Sequence, residues 1–222
     1  MMAKDIEQEI AYYYDFHPTE EDLMGETSGH AYLIHYLMEV LIWLFREHHC
    51  AVYENLNFYQ TSNSREYPLA PDIAVIKGVD FQYLRSWSVG KTGPAPQVVF
   101  EIASEETWKK DLAEKPGKYA RMGVEEYIAY DPNDPPLGQS NARRLFGWSL
   151  DKDSGEMREM LVHPNGHLWS PHLDSFLVPD QHYLRLYDSN GQPRLTQAET
   201  EARRVEALAE KLRSLGIDPD QI

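Results

Sequence analysis

A mixed α/β (α+β) fold, a β-sheet core flanked by helices, is what this sequence predicts. Three observations carry that prediction. The 222 residues are 42% hydrophobic and include 14 Tyr, 7 Phe and 5 Trp, enough to build one sizeable core. Apolar runs of strand length alternate with stretches of helical character. One helical stretch lies between two strands in the manner of a β–α–β crossover, with further strands on both sides, so the sheet mixes parallel and antiparallel neighbours.

In chain order, the first 25 residues are acidic and aromatic and are expected to cover the domain rather than form its centre. Gly29 to Glu47 predicts a helix, with Thr27 or Ser28 as its cap. Its apolar residues run almost all the way round, which predicts burial on every side. Strands are expected over 51–60, 71–77 (PDIAVIK) and 97–104 (QVVFEIAS), with turn chemistry in TSNSREYPLA and SWSVGKTGPAP between them. Residues 106–115 predict a helix. Pro116, which would break a helix interior, fits the first turn of a second short helix that ends at Gly123. EEYIAYD (125–131) is the next strand, closed by PNDPP, and RRLFGWSL, EMREMLV and HYLRLYD continue the β-rich body.

From Gln192 the composition shifts. Ala198, Ala202, Val205, Ala209 and Leu212 follow the 4-3 spacing of an amphipathic helix, stopped by Gly216 and Pro219. The expected organisation is a domain over 1–191 and a helical tail over 192–222. A lone amphipathic helix needs an apolar partner, so a homodimer is the expected state.

Composition narrows the function. The single cysteine, Cys50, rules out a disulfide framework and a cysteine-based zinc site, which suits a reduced compartment. No apolar run is long enough to span a bilayer and the N-terminus has no signal-like apolar region, so the expected location is cytoplasmic. The net charge of −15 argues against a broad basic nucleic-acid face, and any nucleic-acid chemistry must rest on a local site. There is no phosphate-cradling glycine loop, no G-x-S-x-G elbow and no zinc-finger spacing. His163, His167 and His172 sit in a Pro/Gly/Asn loop and read as solvent-facing; His30 and His35 read as capping or packing residues of the first helix.

Two acidic residues stand inside apolar strand runs: Asp72 after Pro71, and Glu101 between Phe100 and Ile102. A carboxylate in a buried strand is costly unless something pairs with it, either a basic side chain or a cation. Two carboxylates on neighbouring strands, with a carbonyl and water, suit Mg²⁺ or Mn²⁺, hard ions that prefer oxygen ligands. Asp111 and Lys115 stand four apart on the helix that follows. Lys115 is the candidate to position an attacking water, with Asp111 orienting it. The alternatives are ordinary ones: a turn aspartate after proline, and an i,i+4 surface ion pair worth about 0.3–0.5 kcal/mol.

The ordered set Pro71-Asp72, Glu101 and Ser104, Asp111, Lys115 and Tyr119, Gly123-Val124, Glu126-Tyr127 and Asp131-Pro132 resembles the Uma-two family of restriction-endonuclease-like proteins over about residues 28 to 190. The resemblance implies the PD-(D/E)XK nuclease fold, a metal held by Asp72 and Glu101, and hydrolysis of phosphodiester bonds with DNA as substrate. It also implies a further acidic residue from the first helix, for which Glu39 is the match. The lysine of the usual motif would stand two residues after the glutamate, where this chain has Ala103. Either Lys115 takes that role, or the catalytic group is missing and the fold serves binding and assembly. Trp87, Trp108, Trp148 and Trp169 could stack on bases or pack a core.

Overall fold

A computed structural model of the protein describes residues 28–60, 67–105, 107–137 and 143–219. The acidic N-terminal stretch, the Thr27 cap and the first half of the 61–70 turn segment fall outside them. The chain runs α1 (Ser28–Phe45), β1 (Cys50–Glu54), β2 (Asn57–Tyr59), β3 (Ile73–Lys77), β4 (Ser86–Ser88) and β5 (Val98–Ile102). Then come α2 (Trp108–Ala113), α3 (Lys115–Met122), β6 (Glu126–Tyr130), β7 (Leu145–Asp151), β8 (Glu156–Glu159), β9 (Leu168–Ser170), β10 (Ser175–Asp180), β11 (Tyr183–Tyr187) and α4 (Gln197–Ser214).

The main sheet has six strands in the order β1-β3-β5-β6-β7-β8. β5 and β6 are parallel and are joined by α2 and α3, while every other neighbouring pair is antiparallel. This is the mixed sheet with one crossover that the sequence predicts. β9–β11 form a second, antiparallel sheet, and β2 pairs with β4 in parallel.

Strand alternation sorts the core into two layers, one on each face of the sheet. Val52, Ile73, Val75, Val98, Phe100, Ile102, Ile128 and Tyr130 face α1 and the second sheet. Ala51, Tyr53, Ala74, Ile76, Val99, Tyr127 and Ala129 face the crossover helices and Trp87. β5 and β6 are buried at every position, which explains their near-continuous apolar character.

Three local expectations are corrected. α1 buries one stripe, Leu33, Ile34, Leu37, Val40 and Leu41, and leaves Tyr32 and Ile42 exposed. The strand expected over 51–60 is split at Asn55, whose φ of 48° breaks the extended run. β4 forms within the SWSV segment expected to turn. The crossover follows the prediction closely: Pro116 lies in the first turn of α3, and Gly123, at φ 86°, ends it in the left-handed conformation that glycine adopts at least cost.

α4 opens with a capping box, in which Thr196 accepts from the Glu199 amide and the Glu199 side chain accepts from the Thr196 amide. None of its residues is buried. Among the described residues, no helix is long and apolar enough to cross a membrane.

Candidate metal centre

The register that pairs Ile73 with Phe100 places Asp72, one step further, opposite Glu101. Both lie on the sheet face that carries the crossover helices, where cross-strand neighbours stand about 5 Å apart at Cβ. Asp72 precedes the first ladder pair, and its Oδ2 accepts the Ile102 backbone N–H at 2.5 Å, taking the place of a ladder bond and fixing the carboxylate against β5.

Glu101 is 4% exposed. Its Oε1 accepts the Tyr119 hydroxyl at 2.5 Å, and its Oε2 lies 2.9 Å from Lys115 Nζ. Lys115 also lies 2.8 Å from Asp111 Oδ1, and Thr107 donates to Asp111 Oδ2 at 2.9 Å. The Tyr127 hydroxyl donates to the Asp111 carbonyl at 2.8 Å, and the Tyr119 and Tyr127 rings pack 5.1 Å apart beneath the cluster. The i,i+4 spacing of Asp111 and Lys115 is therefore not a surface pair. The α2–α3 junction folds back on the sheet and delivers both side chains to Glu101.

The electrostatics follow from burial. Removal from water pushes Glu101 up to about 8; Lys115 pulls the other way, and Asp72 and Asp111 push further up. Asp111 is raised as well, again chiefly by burial. Burial would lower Lys115, but Glu101 and Asp111 outweigh it and hold the ammonium protonated well beyond its usual range. Fully ionised, three carboxylates face one ammonium, leaving two uncompensated negative charges in a buried place.

That excess matches a divalent cation in sign and size. Asp72 and Glu101 supply hard oxygen donors, and Ile102, whose amide Asp72 accepts, follows Glu101 directly in the chain. Among the described residues no group of three or more His, Cys, Asp or Glu side chains is gathered as a ready metal cage. An ion here would keep water in its remaining positions, as Mg²⁺ commonly does. The donor set therefore fits a hard divalent ion held by two carboxylates.

One residue at this site escaped the sequence reading. His30, in the first turn of α1, has Nε2 3.0 Å from the Ile102 carbonyl oxygen, to which it donates when protonated, and 3.7 Å from Asp72 Oδ2. Glu39 is the opposite case. It follows His30 by nine residues, which carries it about 13 Å further along the helix and half a turn round. Its side chain is 51% exposed beside His35, at 3.5 Å, so the structure does not bring it to the cluster. Ala103 is buried at the end of β5, and the cation comes from Lys115 instead. Of the four tryptophans named as stacking candidates, Trp87 is buried and donates to the Pro94 carbonyl, which makes it a core residue. His163 and His167 stay in their loop, while the His172 amide donates to Glu126.

The family model for Uma2, described as "Putative restriction endonuclease", matches residues 6–177. That match starts earlier and ends sooner than the motif resemblance. Among solved structures, a "putative nuclease belonging to DUF820" from Anabaena variabilis is similar at 13% identity and a TM-score of 0.48, covering 68% of this chain and 76% of that one. No curated protein matches the sequence.

Proposed function

The chain belongs to the Uma2 family, and from that premise we propose that it is a nuclease that hydrolyses phosphodiester bonds in DNA with a bound Mg²⁺ or Mn²⁺. The observation that carries this reading is the buried cluster of carboxylates around one ammonium where Asp72 faces Glu101. Asp72, Glu101 and the Ile102 carbonyl would hold the ion, which when bound polarises a phosphoryl oxygen and makes a coordinated water more acidic.

The chain's own groups do the rest. Glu101 and Asp111 favour the protonated form of Lys115, which suits it to donate hydrogen bonds to a water or a phosphate oxygen. Asp111, anchored by Thr107, holds the Lys115 ammonium between two carboxylates and limits its rotation. Tyr119 donates to one Glu101 oxygen and so fixes the carboxylate plane, which leaves the Asp72 side of the cluster for the ion. The tyrosines and apolar residues beneath exclude water from one side, where they strengthen every charge interaction.

The test is cleavage of supercoiled plasmid and of single-stranded DNA by purified protein with Mn²⁺, wild type beside Glu101→Ala. Cleavage that the substitution abolishes supports the site and the activity together. No cleavage by either protein, across metals and substrates, would favour the second reading, an inactive nuclease fold used for assembly. The specific observation behind that reading is α4, none of whose residues is buried and which leaves Val205 and Leu208 exposed.

A further inference from the structure

Among the exposed aromatic residues, Phe81 and Tyr83 stand side by side in one loop. Loop 79–85 follows β3 and lies over the edge of the sheet, on the same face as the carboxylate cluster. Phe81 stacks on Tyr53 with ring centroids 5.2 Å apart and planes at 28°. Tyr83 meets Phe81 edge to face, also at 5.2 Å. Tyr53 itself is anchored: its hydroxyl donates to the Gln82 carbonyl, and its ring packs against buried Trp87. The series thus steps outward from a fixed base, Tyr53, to Phe81 at 52% exposure and Tyr83 at 96%. Two adjacent exposed rings forgo several kcal/mol of burial that a core position would supply, which marks them as a contact surface.

Their position is informative. Tyr53 pairs with Ala74, two residues from Asp72 on β3, so strand geometry puts the Tyr53 and Asp72 Cα atoms roughly 8 Å apart on one face. Arg85, two residues beyond Tyr83, is exposed and forms no ion pair with any described residue. On a chain of net charge −15, a polynucleotide cannot be held chiefly by phosphate contacts. Stacking on aromatic faces supplies affinity that does not depend on charge, and it accepts any base.

We propose that Phe81 and Tyr83, braced by Tyr53 and with Arg85 beside them for a phosphate, form a stacking platform for unpaired bases of a nucleic-acid strand next to the carboxylate cluster. The inference rests on the nuclease reading and narrows its substrate class to single strands or strands with exposed bases. A base pair in a duplex offers no free face to a ring standing beside the helix, whereas an unpaired base does.

Fluorescence anisotropy tests this with three labelled probes: an oligothymidylate, an abasic strand with the same backbone, and a duplex. The full chain is used with EDTA, so that no strand is cut. Wild type should prefer the oligothymidylate. Tyr83→Ala and Phe81→Ala should each weaken that binding about fivefold or more, Tyr83→Trp should keep it, and binding of the abasic strand should not change. Tyr83→Ala is safe for folding because its ring is almost wholly in solvent. The proposal is overturned if wild type binds no strand, if it shows no preference for bases over the abasic strand, or if the alanine variants bind like wild type. A fall in oligomeric state of either variant by light scattering would also overturn it, since the rings would then be packing a second copy. Mn²⁺-dependent plasmid cleavage, scored separately, keeps the two failures apart: variants that cut but bind unchanged sink the platform alone, and base-dependent binding without any cutting sinks the nuclease alone.

Discussion

Glu101 on β5 and Glu126 on β6 are both buried carboxylates in strands otherwise filled with apolar side chains, and they lie on opposite faces of the same sheet. Burial raises both above the usual glutamate range. Their surroundings differ in kind. Glu126 is hydrogen-bonded by neutral donors, the Ser170 hydroxyl to one oxygen and the His172 amide to the other at 3.2 Å, with weaker attraction from His172 and Lys77. Those bonds tie the main sheet to the second sheet. Glu101 is met by charged groups, one ammonium and two further carboxylates. A carboxylate completed by neutral donors is a structural tie. A carboxylate among other carboxylates is what the proposed cation site requires.

The largest effect should come from removing one carboxylate while keeping the other. Glu101→Ala is expected to lower Mn²⁺-dependent cleavage at least about a hundredfold, whereas Glu126→Gln should leave the rate per folded molecule within about twofold. Equal losses in both, measured on protein checked for folding by circular dichroism, would break the distinction. Next is Lys115→Met, which leaves three buried carboxylates with no cation. Urea unfolding of the metal-free protein should show a loss of about 3 kcal/mol, and Mn²⁺ should restore more stability to this variant than to wild type.

The pH dependence gives a smaller, directional effect. Glu101 is raised from 4.5 to about 8 in the folded chain, so the folded state binds its proton more tightly than the unfolded state does. The stability this contributes is full below pH 4.5 and is lost as pH rises to about 8, with a slope of up to about 1.4 kcal/mol per unit. Glu101→Gln should flatten that slope in urea titrations run with EDTA. Added Mn²⁺ should oppose it, since cation and proton compete for the same oxygens. Smallest is Ser170→Ala, which removes one donor from Glu126 and should cost about 1–2 kcal/mol of stability with no change in metal response.

The sequence exposed much of this site because the physics there is local. Asp72 and Glu101 stood out as charges inside apolar strand runs, and Asp111 and Lys115 by their helical spacing. Pro116 and Gly123 marked the crossover because each has a backbone preference that only one place satisfies. What stayed hidden depends on distant packing. His30 looks like a capping residue until α1 is laid across the end of β5. Glu39 looked acidic enough to join the site, but half a turn of helix sends it to water. β9 and β10 were not anticipated, since three-residue LWS and the proline-bearing SFLVPD hold together through pairing with each other and with β11. Nothing local separates the buried ring of Trp87 from the exposed ring of Tyr83 four residues earlier. For Glu126 the signal was present, a glutamate entering the apolar run YIAY, but the Ser170 and His172 donors that meet it lie more than forty residues away.

The lysine's address on the α2–α3 junction, rather than on β5, ties the chemistry to completion of the fold. The β3–β5 hairpin alone would carry Asp72 and Glu101 but no ammonium, and so would repel the phosphates it meets. Only when the crossover has closed and docked its helices does Lys115 reach the carboxylates. On the nuclease reading proposed above, a chain whose crossover has not docked would lack the ammonium that faces the phosphate.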